Sequence, residues 1–119
     1  VSFFASTDDA TQDKAAVSAS APGEPATPPS RLAPLLRAGN IVIEHDLRGE
    51  GAALRALARD IAGPPSAALQ RAGQAIEVRY SPSAGGVVAY AYQRRLRARD
   101  AADPTLREFA EYWLGRGAP

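Results

Sequence analysis

Apolar positions along this chain shift between the alternation of a strand and the three-to-four spacing of a helix. Ile41-Val42-Ile43-Glu44-His45 is rich in β-branched residues and predicts a first strand, with Ile41, Ile43 and His45 on one face and Val42 and Glu44 on the other. A polar turn from Asp46 to Gly51 leads into a helix over Ala52–Ala62, whose Leu54, Leu57 and Ile61 form one stripe. Gly63-Pro64-Pro65 stops it, and Ser66 caps a shorter helical piece through Arg71 that ends by Gly73. Ala75–Tyr80 alternates cleanly and predicts a second strand, with Ile76, Val78 and Tyr80 opposed to Glu77 and Arg79. After the turn Ser81–Gly86, Val87 to Arg97 or Arg99 predicts a third strand that pairs with the second as an antiparallel hairpin. The intervening helix makes the first two strands parallel through a right-handed crossover. Asp103-Pro104 opens the last helix, with an acceptor at the N-cap and proline at N1, and Leu106, Phe109, Ala110 and Trp113 line one side up to Gly115. The expected fold is α+β in the order β-α-β-β-α, a small mixed three-stranded sheet with two main helices on one face.

The flanks carry weaker patterns. Residues 1–30 hold Pro22, Pro25, Pro28 and Pro29 among small and polar side chains, and are expected to be a flexible or extended N-terminal segment before a single α+β domain over 31–119. Within them Phe3-Phe4 reads either as a boundary without a partner or as an arm that docks on its own domain or a neighbouring subunit. Leu32, Leu35 and Leu36 have helical spacing, but Pro34 interrupts them, so a single turn or ordered loop is expected there. The first residue is Val1, which predicts a processed or cut N-terminus that a signal peptide or anchor could have preceded.

Composition narrows the chemistry. With no cysteine, disulfides, thiolate nucleophiles and thiolate metal ligands are excluded, which is compatible with the cytoplasm and with export alike. No run approaches the roughly 18 apolar residues that a membrane helix needs. Asp8, Asp9, Asp13 and Glu24 against Lys14 give residues 1–30 a net charge of −3, and thirteen arginines against nine acids give the remainder +4. The bias to arginine, with abundant alanine and glycine, reads as a GC-rich bacterial genome rather than as a nucleic-acid surface. A small core and an unclosed sheet favour a homo-oligomer, in particular a homodimer.

Candidate sites are few. His45 is the single histidine, and its neighbours Glu44 and Asp46 point to the opposite strand face, so no metal site and no cofactor is expected. Among Asp46, Asp60, Asp100, Asp103, Glu108 and Glu111 no pair stands out as acid and base, and Asp103 is committed to capping. Gly49-Glu50-Gly51 lacks the lysine and serine of a phosphate loop. Tyr90 and Tyr92 fall on one face of the long third strand together with Val88, Arg94 and Leu96, which makes either a platform for a small-molecule ligand or an oligomer contact. Arg94, Arg95, Arg97 and Arg99 form a basic patch that alternation divides between two faces, so nucleic acid is not expected as a partner. The ligand-binding candidates are therefore Tyr90, Tyr92, Arg94 and His45, with no catalytic residue assigned.

From Pro28 to Pro119 the chain resembles an uncharacterised bacterial domain family, the domain of unknown function numbered thirty-one oh five. Its members have a proline-rich approach and a His-Ser-Leu-Glu-His-Gly segment that runs into a hydrophobic strand; Pro34-Leu35-Leu36-Arg37-Ala38-Gly39, followed by Asn40-Ile41-Val42-Ile43, is similar to it. Tyr90-Ala91-Tyr92-Gln93-Arg94 resembles the family's Thr-Ala-Trp-Gly-Arg run, and Phe109 and the Gly115–Pro119 tail resemble its ending. Both family histidines are replaced, by Pro34 and Ala38. If they make a metal or redox-associated site, this chain has lost it, and the resemblance implies an exported or tethered relative with a binding, scaffold or assembly role. The function expected is a noncatalytic binding or interaction domain that assembles as a homodimer. The alternative is a metal-independent small-molecule enzyme or ligand-binding protein that uses a tyrosine, an arginine and a carboxylate.

Overall fold

A computed structural model of the protein describes residues 21–119. Phe3-Phe4 lies outside the described residues. The elements in chain order are β1 (Glu24–Pro25), α1 (Ala33–Ala38), β2 (Ile41–His45), a 3-10 turn (Arg48–Glu50), α2 (Gly51–Ala62), α3 (Ala67–Arg71), β3 (Ile76–Tyr80), β4 (Val87–Ala91), β5 (Arg94–Ala98) and α4 (Pro104–Trp113). The α+β class holds, with β2 and β3 parallel and α2 between them in the chain. The sheet has five strands rather than three, in the order β1-β5-β4-β2-β3.

Three differences from the expected pairing follow from turn chemistry. Val87–Ala98 is a hairpin rather than one strand, because Tyr92-Gln93 turns the chain with Gln93 at φ 56°. A left-handed glutamine carries no sequence signal comparable to glycine. The Ser81–Gly86 segment does not close a hairpin between β3 and β4; it carries the chain past β2, so β4 is antiparallel to β2 on the side away from β3. Finally, Ala33–Ala38 forms a short α-helix rather than a single turn or ordered loop, since Pro34 falls in the first turn of α1, where its missing N–H has no intrahelical partner to lose.

The core is divided by the sheet. Leu54 and Ala58 of α2 and Leu106, Phe109 and Ala110 of α4 pack on Ile41, Ile43, Ile76, Val87, Ala89 and Ala91. The small alanines of β4 let α4 approach closely. On the opposite face Leu32 and Leu36 bury Val42, with Leu35 and Tyr90 at the margin. Glu44 opens onto this second face and is only 4% exposed; Arg31 donates to both of its carboxylate oxygens at 2.7 and 2.8 Å. The proline-rich approach runs beside β5, where β1 pairs antiparallel with Arg94 and Arg95, and Trp113 Nε1 donates to the Pro22 carbonyl at 2.8 Å. Gly23 permits that path: a Cβ there would stand 2.6 Å from the Phe109 ring and 2.8 Å from the Arg95 carbonyl.

One buried side chain ties these parts together. Asn40 is 1% exposed. Its amide nitrogen donates to the carbonyls of Leu35 (3.1 Å) and Gln70 (2.9 Å), and its oxygen accepts from Ala75 N–H at 3.0 Å. The middle of α1, the last turn of α3 and the residue before β3 are thus fastened at the first residue before β2. The C-terminal tail closes over the same corner, with Gly115 N–H donating to Gly39 and Ala118 N–H to Arg37.

Asn40→Ala leaves the buried Ala75 N–H without its acceptor and is expected to cost about 3 kcal/mol of stability, read from urea denaturation. Asp103 caps α4 as the sequence predicts, accepting from Thr105 N–H at 3.0 Å. The Arg99 backbone N–H, together with the hydroxyl and N–H of Thr105, lowers its pKa from 3.8 to about 2. Because the folded value is depressed, the stabilisation by this carboxylate is complete above pH 3.8 and is lost as pH falls through 3.8 toward about 2. Asp103→Asn should flatten the fall of the urea midpoint across that interval; an unchanged fall would remove Asp103 as its source.

Candidate functional site

The parallel pair β2–β3 ends on His45 and Tyr80, which are partners in the register. The outer ends of parallel strands, beside the start of the helix that connects them, are the usual position of ligand crevices in open sheets, because backbone donors and loop side chains converge there. Here a shallow hollow of about 410 Å³ is lined by His45, Arg48, Gly51, Arg55 and Tyr80. Gly51 begins α2 and forms part of its floor: a Cβ on it would meet Arg55 Nη1 at 3.0 Å and the Cε1–Nε2 edge of His45 at 3.4 and 3.5 Å.

The side chains around this hollow are held in place. His45 is 3% exposed, and its Nδ1 lies 2.9 Å from the Leu47 carbonyl, which can only accept; Nδ1 therefore carries the proton and Nε2 is the acceptor of the neutral ring. The Tyr80 ring stands edge-on to His45, with centroids 5.8 Å apart, and the Arg48 guanidinium lies 5.7 Å from the Tyr80 centroid. Tyr80 and Leu47 are the exposed large hydrophobic residues among those described, at 49% and 42%.

The acids next to the hollow are turned away from it. Asp46 accepts from Gly86 N–H and Glu50 from Ala101 N–H. Elsewhere Glu24 pairs with Arg95, Glu44 with Arg31, Glu77 with Arg79, and Asp60 and Glu111 with Arg107. Among the described residues Arg48, Arg55 and Arg59 have no carboxylate partner, so uncompensated positive charge collects along the outer side of α2 and the 3-10 turn before it.

The four candidates named from the sequence do not form one site. His45 belongs to the hollow just described. Tyr90 is half-buried on the opposite face against Leu32, Leu36 and Val42, and completes the smaller core. The turn at Tyr92-Gln93 breaks the alternation on which a shared tyrosine face depended: Tyr90 pairs with Arg95, while Leu96 and Ala98 of β5 pack on the α2 and α4 side. Tyr92 and Arg94 do share a second hollow, wide and shallow at about 670 Å³, with Pro25, Thr27 and Trp113. Arg94 lies over the Trp113 ring at 5.2 Å. Arg48, Gly51, Arg55 and Tyr80 went unrecognised as site residues; the signal that points to them is topological, the crossover that brings the ends of β2 and β3 beside the start of α2.

Among the described residues no group of three or more potential metal ligands gathers, and no helix is long and apolar enough to cross a membrane. Comparison with family models, curated proteins and solved structures finds no match.

The hydrogen bond to Leu47 makes a direct prediction. In ring 15N spectra the neutral imidazole of His45 should be found as the Nδ1–H tautomer; an Nε2–H ring would mean that Nδ1 does not donate to that carbonyl.

Proposed function

We propose that the chain is a noncatalytic binding and interaction domain that takes a small anionic ligand in the hollow at the ends of β2 and β3 and works as a homodimer. The observation that carries this reading is the convergence of Arg48 and Arg55 on His45, with no carboxylate partner for either arginine among the described residues. Two guanidinium groups offer donors to an oxyanion, and Nε2 of the His45 Nδ1–H tautomer accepts from a protonated oxygen of the same anion. Acid–base catalysis through a carboxylate finds less support, because Glu44 pairs with Arg31 on the opposite sheet face, and Asp46 and Glu50, the acids between β2 and α2, are bonded to backbone N–H groups outside the hollow.

On this reading the protein is a degenerate relative of the family numbered thirty-one oh five. The positions that resemble the family's two histidines, Pro34 and Ala38, are exposed on α1, whose leucines pack on the sheet face opposite the one α2 covers. On this reading the ligand contacts are those of Arg48, Arg55 and His45, and Tyr92 and Arg94 line a separate surface.

Calorimetric titration with inorganic phosphate tests the anion site. Saturable binding is expected to weaken about tenfold in Arg48→Ala and in Arg55→Ala, the loss of one charge-assisted contact, and to be unchanged in Arg94→Ala. No saturable heat with the native chain, or equal affinity in the Arg48 and Arg55 variants, would overturn it.

A further inference from the structure

We infer that the outer edge of β3 is the surface on which two copies of this chain pair, strand to antiparallel strand, about a two-fold axis at Val78. This rests on the reading of the protein as a homodimer and assigns the interface.

The hydrogen bonds of the sheet fix which groups are free. Ile41 N–H donates to Ala75 at 3.0 Å and Ser81 N–H to His45 at 2.8 Å. These two bonds bracket a parallel ladder in which Glu77 and Arg79 also face β2, so the N–H and C=O groups of Ile76, Val78 and Tyr80 point outward. β3 is the last strand of the sheet, and among the described residues nothing pairs with that edge. A strand of this kind is a template for another.

Its side chains suit a second copy of itself. An antiparallel pair centred on Val78 sets Val78 against the partner's Val78 and Ile76 against the partner's Tyr80, all through outward-facing backbone groups. The same register places Glu77 opposite the partner's Arg79, and Arg79 opposite the partner's Glu77, at the closer, non-hydrogen-bonded positions. Opposite charges meet twice on one face, where Glu77 and Arg79 already lie within 2.6 Å in the single chain. On the other face the exposed Tyr80 comes beside the partner's Ile76. Within each chain Ile76 borders a hollow of about 230 Å³ that Ala58, Pro65 and Val78 line together with the charged side chains of Arg55, Arg59, Glu77 and Arg79, so one exposed aromatic and one recess are brought together at each end of the pair. Arg55 lines both this recess and the anion hollow, and Tyr80 lines the anion hollow, so the pairing surface adjoins the anion site, while Glu77, Val78 and Arg79 stand outside that hollow.

Sedimentation velocity across the micromolar range, with circular dichroism as the check of folding, tests the interface. The native chain is expected to sediment as a dimer. Glu77→Arg alone and Arg79→Glu alone set like charges opposite each other and should raise the dimer dissociation constant at least about tenfold, and the two together should restore it. Val78→Pro removes an outward N–H without breaking the β2–β3 ladder, and should give a folded monomer. A dimer indifferent to all these variants would overturn the β3 interface while leaving homodimerisation to another surface. A monomer at every concentration would overturn both, with phosphate binding read separately.

Discussion

The side chain of Asn40 has to be buried for α1, α3 and β3 to meet where they do, and an amide taken out of water must find partners for its oxygen and its nitrogen. It finds three, in Leu35, Gln70 and Ala75. Those partners lie 5, 30 and 35 residues from Asn40 in the chain, so the demand for satisfied hydrogen bonds fixes β3 against β2. Hydrophobic packing is tolerant of small shifts, whereas a buried N–H that misses its acceptor is not. The parallel register that follows brings His45 and Tyr80 level and places the candidate site at their ends.

A second constraint concerns charge. Nearly every carboxylate among the described residues is bonded within the fold: to an arginine across elements, as Glu44 to Arg31 and Glu24 to Arg95, or to a backbone N–H at a turn or helix start, as Asp46, Glu50, Asp100 and Asp103. The chain carries more arginines than acids after residue 30, so this arrangement leaves cations over. Those beside the start of α2 have no acid partner among the described residues, and a surplus of one sign is an attraction for anions. The binding reading rests on this distribution, since the hollow is too shallow to be recognised by shape.

Local chemistry was legible wherever a few neighbouring residues decide the outcome. β2 runs over the five residues that β-branching marks, Ser66 and Asp103 cap the helices that follow them, and the leucine stripe of α2 and the Leu106–Phe109 stripe of α4 face the larger core. The parallel crossover between β2 and β3 was legible for the same reason, because a helix between two strands allows little else. The β4–β5 hairpin was not: its turn is Tyr92-Gln93, and no glycine or asparagine announces a left-handed residue there. Once the strand folded back, the predicted tyrosine and arginine face ceased to exist, and Tyr90 became part of the core while Tyr92 and Arg94 moved to a rim.

Local pattern carried most helices and strands and the buried sides of β2, α2 and α4, since spacing, capping residues and proline act over one or two turns of chain. The fold as a whole sets β4 beyond β2, adds the proline-rich approach to β5 as a strand, and gathers Arg48, Arg55 and Tyr80 around His45. Each of those depends on which distant backbone groups find hydrogen-bond partners and which sheet edge remains unpaired, quantities that no local pattern of residues contains.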